Sequence, residues 1–129
     1  MTAPRQNFAS GGEWETRFGY SRVVRVGPFV YVAGTTAPEA GEDAGAQAKR
    51  TLAKIEAALA QVGATLADVV RTRMYVVNSA RDAEAVGRAH GEVFGNIRPV
   101  STMVEVRTLI APEMRVEIEA EAIVREGTA

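Results

Sequence analysis

From Val116 onward every second residue is apolar (Val116, Ile118, Ala120, Ala122, Val124), and Glu117, Glu119 and Glu121 fill the positions between. A helix would scatter these side chains around its axis, whereas a strand sends them to two unlike faces. The alternation therefore predicts a strand with one dry face and a row of three carboxylates about 6.6 Å apart on the other, at ~3.3 Å rise per residue. Such a row must stay wet or meet cations. Upstream, Ser101 to Val106 alternates again, with Ser101, Met103 and Glu105 on one face and Thr102, Val104 and Val106 on the other. Pro112 in the connection cannot donate to a ladder, so the two runs read as antiparallel strands joined by a loop.

The rest of the chain supplies partners for this sheet. Residues 1–13 mix Gly, Ser, Pro and charge without period and read as a loose lead-in. Trp14, Phe18 and Tyr20 suggest a first strand whose aromatic face is buried or lines a pocket. Arg22–Val26 and Phe29–Ala33 read as a hairpin about Gly27-Pro28, and Gly34 closes the second strand. Ala48, Leu52, Ile55, Leu59 and Val62 follow helical spacing, with Gly63 as the stop. Val69–Val77 is strand-like, placing Val70, Thr72, Met74 and Val76 on one face and Arg71, Arg73 and Tyr75 on the other. A second helix is expected from Asp82, as N-cap, to Phe94, with Val86, Ala89, His90, Val93 and Phe94 inward. This order predicts one α+β domain over residues 1–129, a mixed sheet with two helices on one face.

Charge and composition narrow the function. The 15 basic and 16 acidic residues leave no global pull toward nucleic acid or anionic membrane. With no cysteine there is no disulfide framework, thiolate nucleophile or Cys-ligated zinc. No apolar run approaches the ~20 residues needed to span a bilayer, so a cytoplasmic protein is expected. The glycines form no phosphate-binding loop, and the single histidine, His90, has no second His or Cys with which to share a metal. No cofactor or metal is expected. His90 reads first as a helix-core or interface residue, and Ser101 as a nucleophile would need a base that the sequence does not place beside it.

Several stretches together carry a resemblance. Arg98-Pro99, the run STMVEV over Ser101–Val106, a short Pro-containing loop and VEIEA over Val116–Ala120 are similar to the closing signature of the YjgF/RidA family, also called Rid or L-PSP. Phe18-Gly19-Tyr20, Gly27, Val32-Ala33-Gly34, Gln47-Ala48 and Asp68-Val69-Val70 add shorter matches, so that residues 17–125 are covered. The resemblance implies a RidA-like, chorismate-mutase-like fold that assembles as a homotrimer around a barrel core, with a small-molecule cleft at each subunit interface. It further implies hydrolytic deamination of reactive imines or enamines. Carried over by position, Glu117 activates water, Gly34 offers backbone groups and Tyr20 lines the site.

The family's carboxylate-binding arginine falls on Ser101, whose hydroxyl cannot copy a bidentate guanidinium grip. Arg98 at the strand entrance and Arg73 on a neighbouring strand are the candidate replacements. The other reading of Arg73 is a cross-strand ion pair with a glutamate of its face. Met103, on the strand face of Ser101, joins the substrate-binding set. A non-catalytic metabolite-binding or regulatory module on the same trimer is the alternative that Ser101 favours. Endoribonuclease activity has little support from a chain without basic excess or a histidine pair.

Overall fold

A computed structural model describes residues 3–125. Six strands form one sheet in the order β1-β2-β3-β6-β4-β5, with β1 at Arg5–Phe8, β2 at Val23–Val26, β3 at Phe29–Thr35, β4 at Val69–Val76, β5 at Val100–Glu105 and β6 at Val116–Ile123. Helices α2 (Ala44–Gln61) and α3 (Ser79–Phe94) cover one face, and a short α1 (Glu13–Phe18) precedes β2. The mixed α+β sandwich is thus as expected.

The apolar stripe of α2 puts Ala48, Leu52, Ile55 and Leu59 in the core, and α3 adds Val86, Ala89 and Phe94. Against them β6 turns Val116, Ile118, Ala120 and Ala122, all buried. Each large aliphatic so removed from water contributes roughly 1.5–3 kcal/mol, enough in sum to fix which face of β6 looks inward. Gly63 ends α2 at a φ of 79°, and Gly27 turns the β2–β3 hairpin at 59°, left-handed conformations that glycine adopts without strain. Buried Gln47 ties two loops to α2. Its Nε2 donates to the carbonyls of Gly41 (2.7 Å) and Glu113 (3.0 Å), while its Oε1 accepts from the Arg115 N–H (2.9 Å).

Five expectations change. First, Arg5–Phe8, inside the presumed lead-in, pairs antiparallel with β2 as an edge strand. Its residues are mostly exposed and polar, so no apolar period marks it. Second, Trp14 to Phe18 is helical, because Trp14 and Phe18 stand at i and i+4. Their rings stack at 5.2 Å, Glu13 and Glu15 occupy the favourable first turn, and Gly19 caps the end at a φ of 76°. Phe18 stays largely exposed rather than buried.

Third, the strands over 100–105 and 116–123 do not pair with each other. β4 lies between them, antiparallel to β6 and parallel to β5, which α3 carries back across the sheet. Fourth, α3 begins at Ser79 with Asn78 as its cap, the side chain accepting from the Arg81 N–H, while Asp82 lies buried inside the first turn. Fifth, an irregularity between Val69 and Arg71 turns Val70 out to solvent.

Candidate functional site

The register of β4 against β6 sorts the three glutamates. Arg71 stands opposite Glu121, Arg73 opposite Glu119 and Tyr75 opposite Glu117. The Arg73 guanidinium pairs with Glu121 at 3.0 Å and reaches Glu119 at 3.9 Å, and Arg71 approaches Glu121 at 3.9 Å. The Tyr75 hydroxyl donates diagonally to Glu119. Arg73 thereby takes up the cross-strand pairing rather than a free position in a ligand site. Glu117 is the member of the row for which the described residues offer no hydrogen bond or ion pair.

Glu117 instead lies against Gly34 of β3. A methyl group on Gly34 would fall 2.9 Å from Cδ of Glu117 and closer still to Oε2, so the absent side chain is what admits the carboxylate. Burial pushes the Glu117 pKa above its ordinary 4.5, the neighbouring Glu119 charge adds to this, and Arg22 partly offsets both. A half-buried carboxylate of raised pKa with both oxygens unclaimed can take a proton from water.

Arg22 organises the surroundings, and sequence reasoning read it only as part of a strand. It donates to the carbonyl of Gly34 (2.7 Å) and to Thr35 Oγ1 (3.1 Å), and its guanidinium carbon lies 5.8 Å from the centre of the Tyr20 ring. Buried Glu15 holds it from the other side at 3.3 Å. Burial raises the Glu15 pKa, but hydrogen bonds from the Ser10 hydroxyl and N–H, together with the Arg22 charge, outweigh that and bring it below the ordinary value. Tyr20, Trp14, Glu15, Arg22 and Lys54 line a cleft of about 430 Å³ between α1 and α2. Arg22 thus contacts both Tyr20 and Gly34, while Glu117 feels its charge without a hydrogen bond or ion pair to it.

Ser101 and Met103 lie elsewhere. Ser101 is bonded to Thr72 (2.8 Å), and Met103 packs against the core opposite Met74, which puts both on the helix-covered face of β5. Glu117 and Gly34 occupy the other face. Within one chain the predicted set is therefore split in two, with Ser101, Met103 and Arg98 at the β5 edge and Tyr20, Gly34 and Glu117 around β3 and β6. Arg98 takes a left-handed φ of 58° and donates to the Gly95 carbonyl at 3.3 Å. The VEV glutamate, Glu105, receives the Ser79 N–H and hydroxyl, both at 2.9 Å, and so braces the start of α3. No group of three or more His, Cys, Asp or Glu that could hold a metal occurs among the described residues, and no described helix is long and apolar enough to cross a membrane.

The sequence profile of the family described as Endoribonuclease L-PSP matches residues 13–124. The chain belongs to the L-PSP family, the YjgF/UK114/Rid group. A crystal structure of a YjgF/YER057c/UK114 member from Mycobacterium tuberculosis superimposes with a TM-score of 0.90 at 55% identity, over 94% of this chain and 100% of that one. A YjgF-family structure from Neisseria meningitidis gives 0.82 at 28% identity, over 98% and 100%. An uncharacterized protein from Streptomyces coelicolor is 42% identical over 118 residues, 88% of this chain and 87% of its own. The span matched by the family profile includes Gly34 on β3 and Glu117 on β6.

Proposed function

We propose that this L-PSP-family chain hydrolyses reactive imines or enamines in a cleft between subunits of a homotrimer, with Glu117 as the general base. The observation that carries this reading is the isolation of Glu117. Of three glutamates on one strand, two are engaged by Arg71, Arg73 and Tyr75, and the third rests against a glycine with no protein partner among the described residues. In the proposed reaction Glu117 takes a proton from water as the water oxygen adds to the C=N carbon. It then returns that proton to nitrogen to give a carbinolamine, and carries the hydroxyl proton to nitrogen as the C–N bond breaks, so that ammonia or an amine leaves and a carbonyl remains. The split of the site favours an assembly, because the β5-edge residues meet Glu117 and Gly34 only if a second copy supplies one half. The other sheet face also leaves Phe29, Tyr31, Val100, Val104 and Ile123 exposed, a surface that association would cover.

Ser101 sets the substrate class. A hydroxyl at the position of the family's arginine suits neutral or decarboxylated imines over 2-imino acids, since a charge-assisted bidentate pair is lost. The same serine supports a second reading, a metabolite-binding or regulatory module without turnover. The two separate in one assay, hydrolysis of a freshly generated neutral imine with and without the protein. Acceleration that disappears in Glu117→Gln supports the enzyme; tight binding without acceleration supports the module. Sedimentation equilibrium that gave a monomer at micromolar concentration would remove the interfacial cleft from both. The ribonuclease activity in the family's description is tested by RNA binding at low salt, where any phosphate contacts are strongest.

A further inference from the structure

Buried Thr72 on β4 holds two polar side chains that are far apart in sequence. Its Oγ1 lies 2.8 Å from Nε2 of His90 on α3 and 2.8 Å from Oγ of Ser101 on β5. We propose that Ser101, Thr72 and His90 form a hydroxyl-relayed nucleophile, a second chemical centre that accepts acyl groups from small activated esters onto Ser101 Oγ. The imine reading uses Ser101 only as the hydroxyl standing where the family has its arginine, and it gives no role to Thr72 or His90.

A threonine hydroxyl has one proton, so when it donates to one of these two neighbours it must accept from the other, which leaves two relay polarities. In one, His90 Nε2–H donates to Thr72 and Thr72 donates to Ser101. In the other, with the imidazole proton on Nδ1, Ser101 donates to Thr72 and Thr72 donates to Nε2. The second polarity prepares Ser101 for attack and moves no heavy atom. As the Ser101 Oγ–carbon bond forms, its proton passes to Thr72 Oγ1 while the Thr72 proton passes to Nε2. The ester C–O bond then breaks, and the leaving oxygen takes the Thr72 proton, which Nε2 replaces, or departs as an anion while the imidazolium releases its proton to solvent. Water repeats the cycle on the acyl-serine and releases the acid.

The surroundings suit this use. The His90 ring lies against Phe94, 4.7 Å between centres, and burial lowers its pKa, which keeps the imidazole in the neutral form a base requires. Ser101 is exposed, so an electrophile can reach it. Beside the relay a cleft of about 310 Å³ is lined by His90, Gly91, Phe94, Gly95, Arg98 and Pro99, of a size for a small acyl group. A side chain on Gly91 would meet nothing within 4 Å, so the cleft is open at its Gly91 wall. Arg98 places a cation on its wall.

The test is acetylation of the intact protein by para-nitrophenyl acetate, followed by intact-mass and peptide mass spectrometry. One acetyl group on Ser101 is expected. Thr72→Ser keeps the relay and should retain the acylation rate within about threefold. Thr72→Val and His90→Gln should slow it at least tenfold, at the low end of what a general base supplies or below. Glutamine can still hydrogen-bond Thr72 but cannot serve as a base, so the His90 variant separates a proton acceptor from a structural prop. Should Thr72→Val fail to fold, His90→Gln decides alone. No acetyl on Ser101, label confined to other residues, or a slowing of less than tenfold in His90→Gln would overturn the proposal.

Discussion

Gly34→Ala, made both in the wild type and in Glu117→Ala, measures directly whether the carboxylate sits where the structure puts it. Gly34 is not among the positive-φ glycines, so alanine fits its backbone. Restricting the unfolded chain should by itself stabilise by about 0.4–1 kcal/mol. In the wild type the new methyl meets Cδ of Glu117 at 2.9 Å and Cγ at 3.3 Å, and the carboxylate must swing aside. Overpacking of this kind costs typically 1–3 kcal/mol, leaving a net loss of about 1–2 kcal/mol. In Glu117→Ala the obstructing atoms are gone, and the same substitution should be neutral or stabilising. The expected coupling is therefore about 1–3 kcal/mol, a loss in the wild type against no loss or a gain in Glu117→Ala. Urea unfolding at one fixed protein concentration reads it, since association would otherwise shift the midpoint. Equal effects of Gly34→Ala in both backgrounds would refute the placement of Glu117 on Gly34, and with it the case for Glu117 as an unpartnered base.

Two further outcomes follow from single side chains. Gln47→Leu keeps a buried side chain of similar bulk but leaves the Gly41 and Glu113 carbonyls and the Arg115 N–H without their partner. The three bonds are only part-buried, so each group left unpaired should cost near the low end of roughly 1–3 kcal/mol; a loss of about 3 kcal/mol is expected in denaturant unfolding, and a loss below about 1 kcal/mol would mean that water replaces the amide. Glu117, whose folded pKa lies above its unfolded value, contributes stability that is fully present below the unfolded pKa and lost as pH rises through the folded one. Glu117→Gln should therefore match the wild type near pH 4 and equal or exceed its stability near pH 7, in denaturant midpoints, while imine hydrolysis by the wild type rises with pH across the same interval. A wild type that is more stable than Glu117→Gln at neutral pH would mean that the carboxylate has a stabilising cationic partner.

What the sequence discloses about the fold depends on how local the cause is. The helical spacing of Leu52, Ile55 and Leu59 and the alternation along Val116–Ala122 are local, and both survive intact because one face of each is buried. Alternation tells which face a strand turns inward but not which strand lies beside it. The insertion of β4 between β5 and β6 is settled by α3 packing over the sheet, and no period in residues 100–124 records that. Residues 14–20 show the opposite failure. Trp14 and Phe18 fit i,i+4 spacing and Phe18 and Tyr20 fit a strand period, so two periods compete over a few residues. The caps decide it, since Gly12 and Gly19 bracket a six-residue helix that has only one buried residue, Glu15, of its own.

The site was legible only as a list of residue types, because its organisation lies in register. The motif VEIEA names two glutamates and the next turn of alternation a third, all chemically alike; a shift of β4 by two residues would give the arginines to a different pair. The observed pairing, Tyr75 opposite Glu117 with Arg73 and Arg71 opposite Glu119 and Glu121, gives both arginines to the other two glutamates and leaves Glu117 against Gly34. The relay on the other face had a signal of another kind. Thr72 interrupts the apolar face shared by Met74 and Val76, and His90 interrupts the one shared by Val86, Ala89 and Phe94. A polar group on a buried face costs about 1–3 kcal/mol unless it is bonded, so each such interruption demands a partner that the local sequence does not supply. Two interruptions on elements joined by one short connection are candidates to satisfy each other. Ser101, on the strand that α3 returns beside β4, is then the hydroxyl through which the pair reaches solvent.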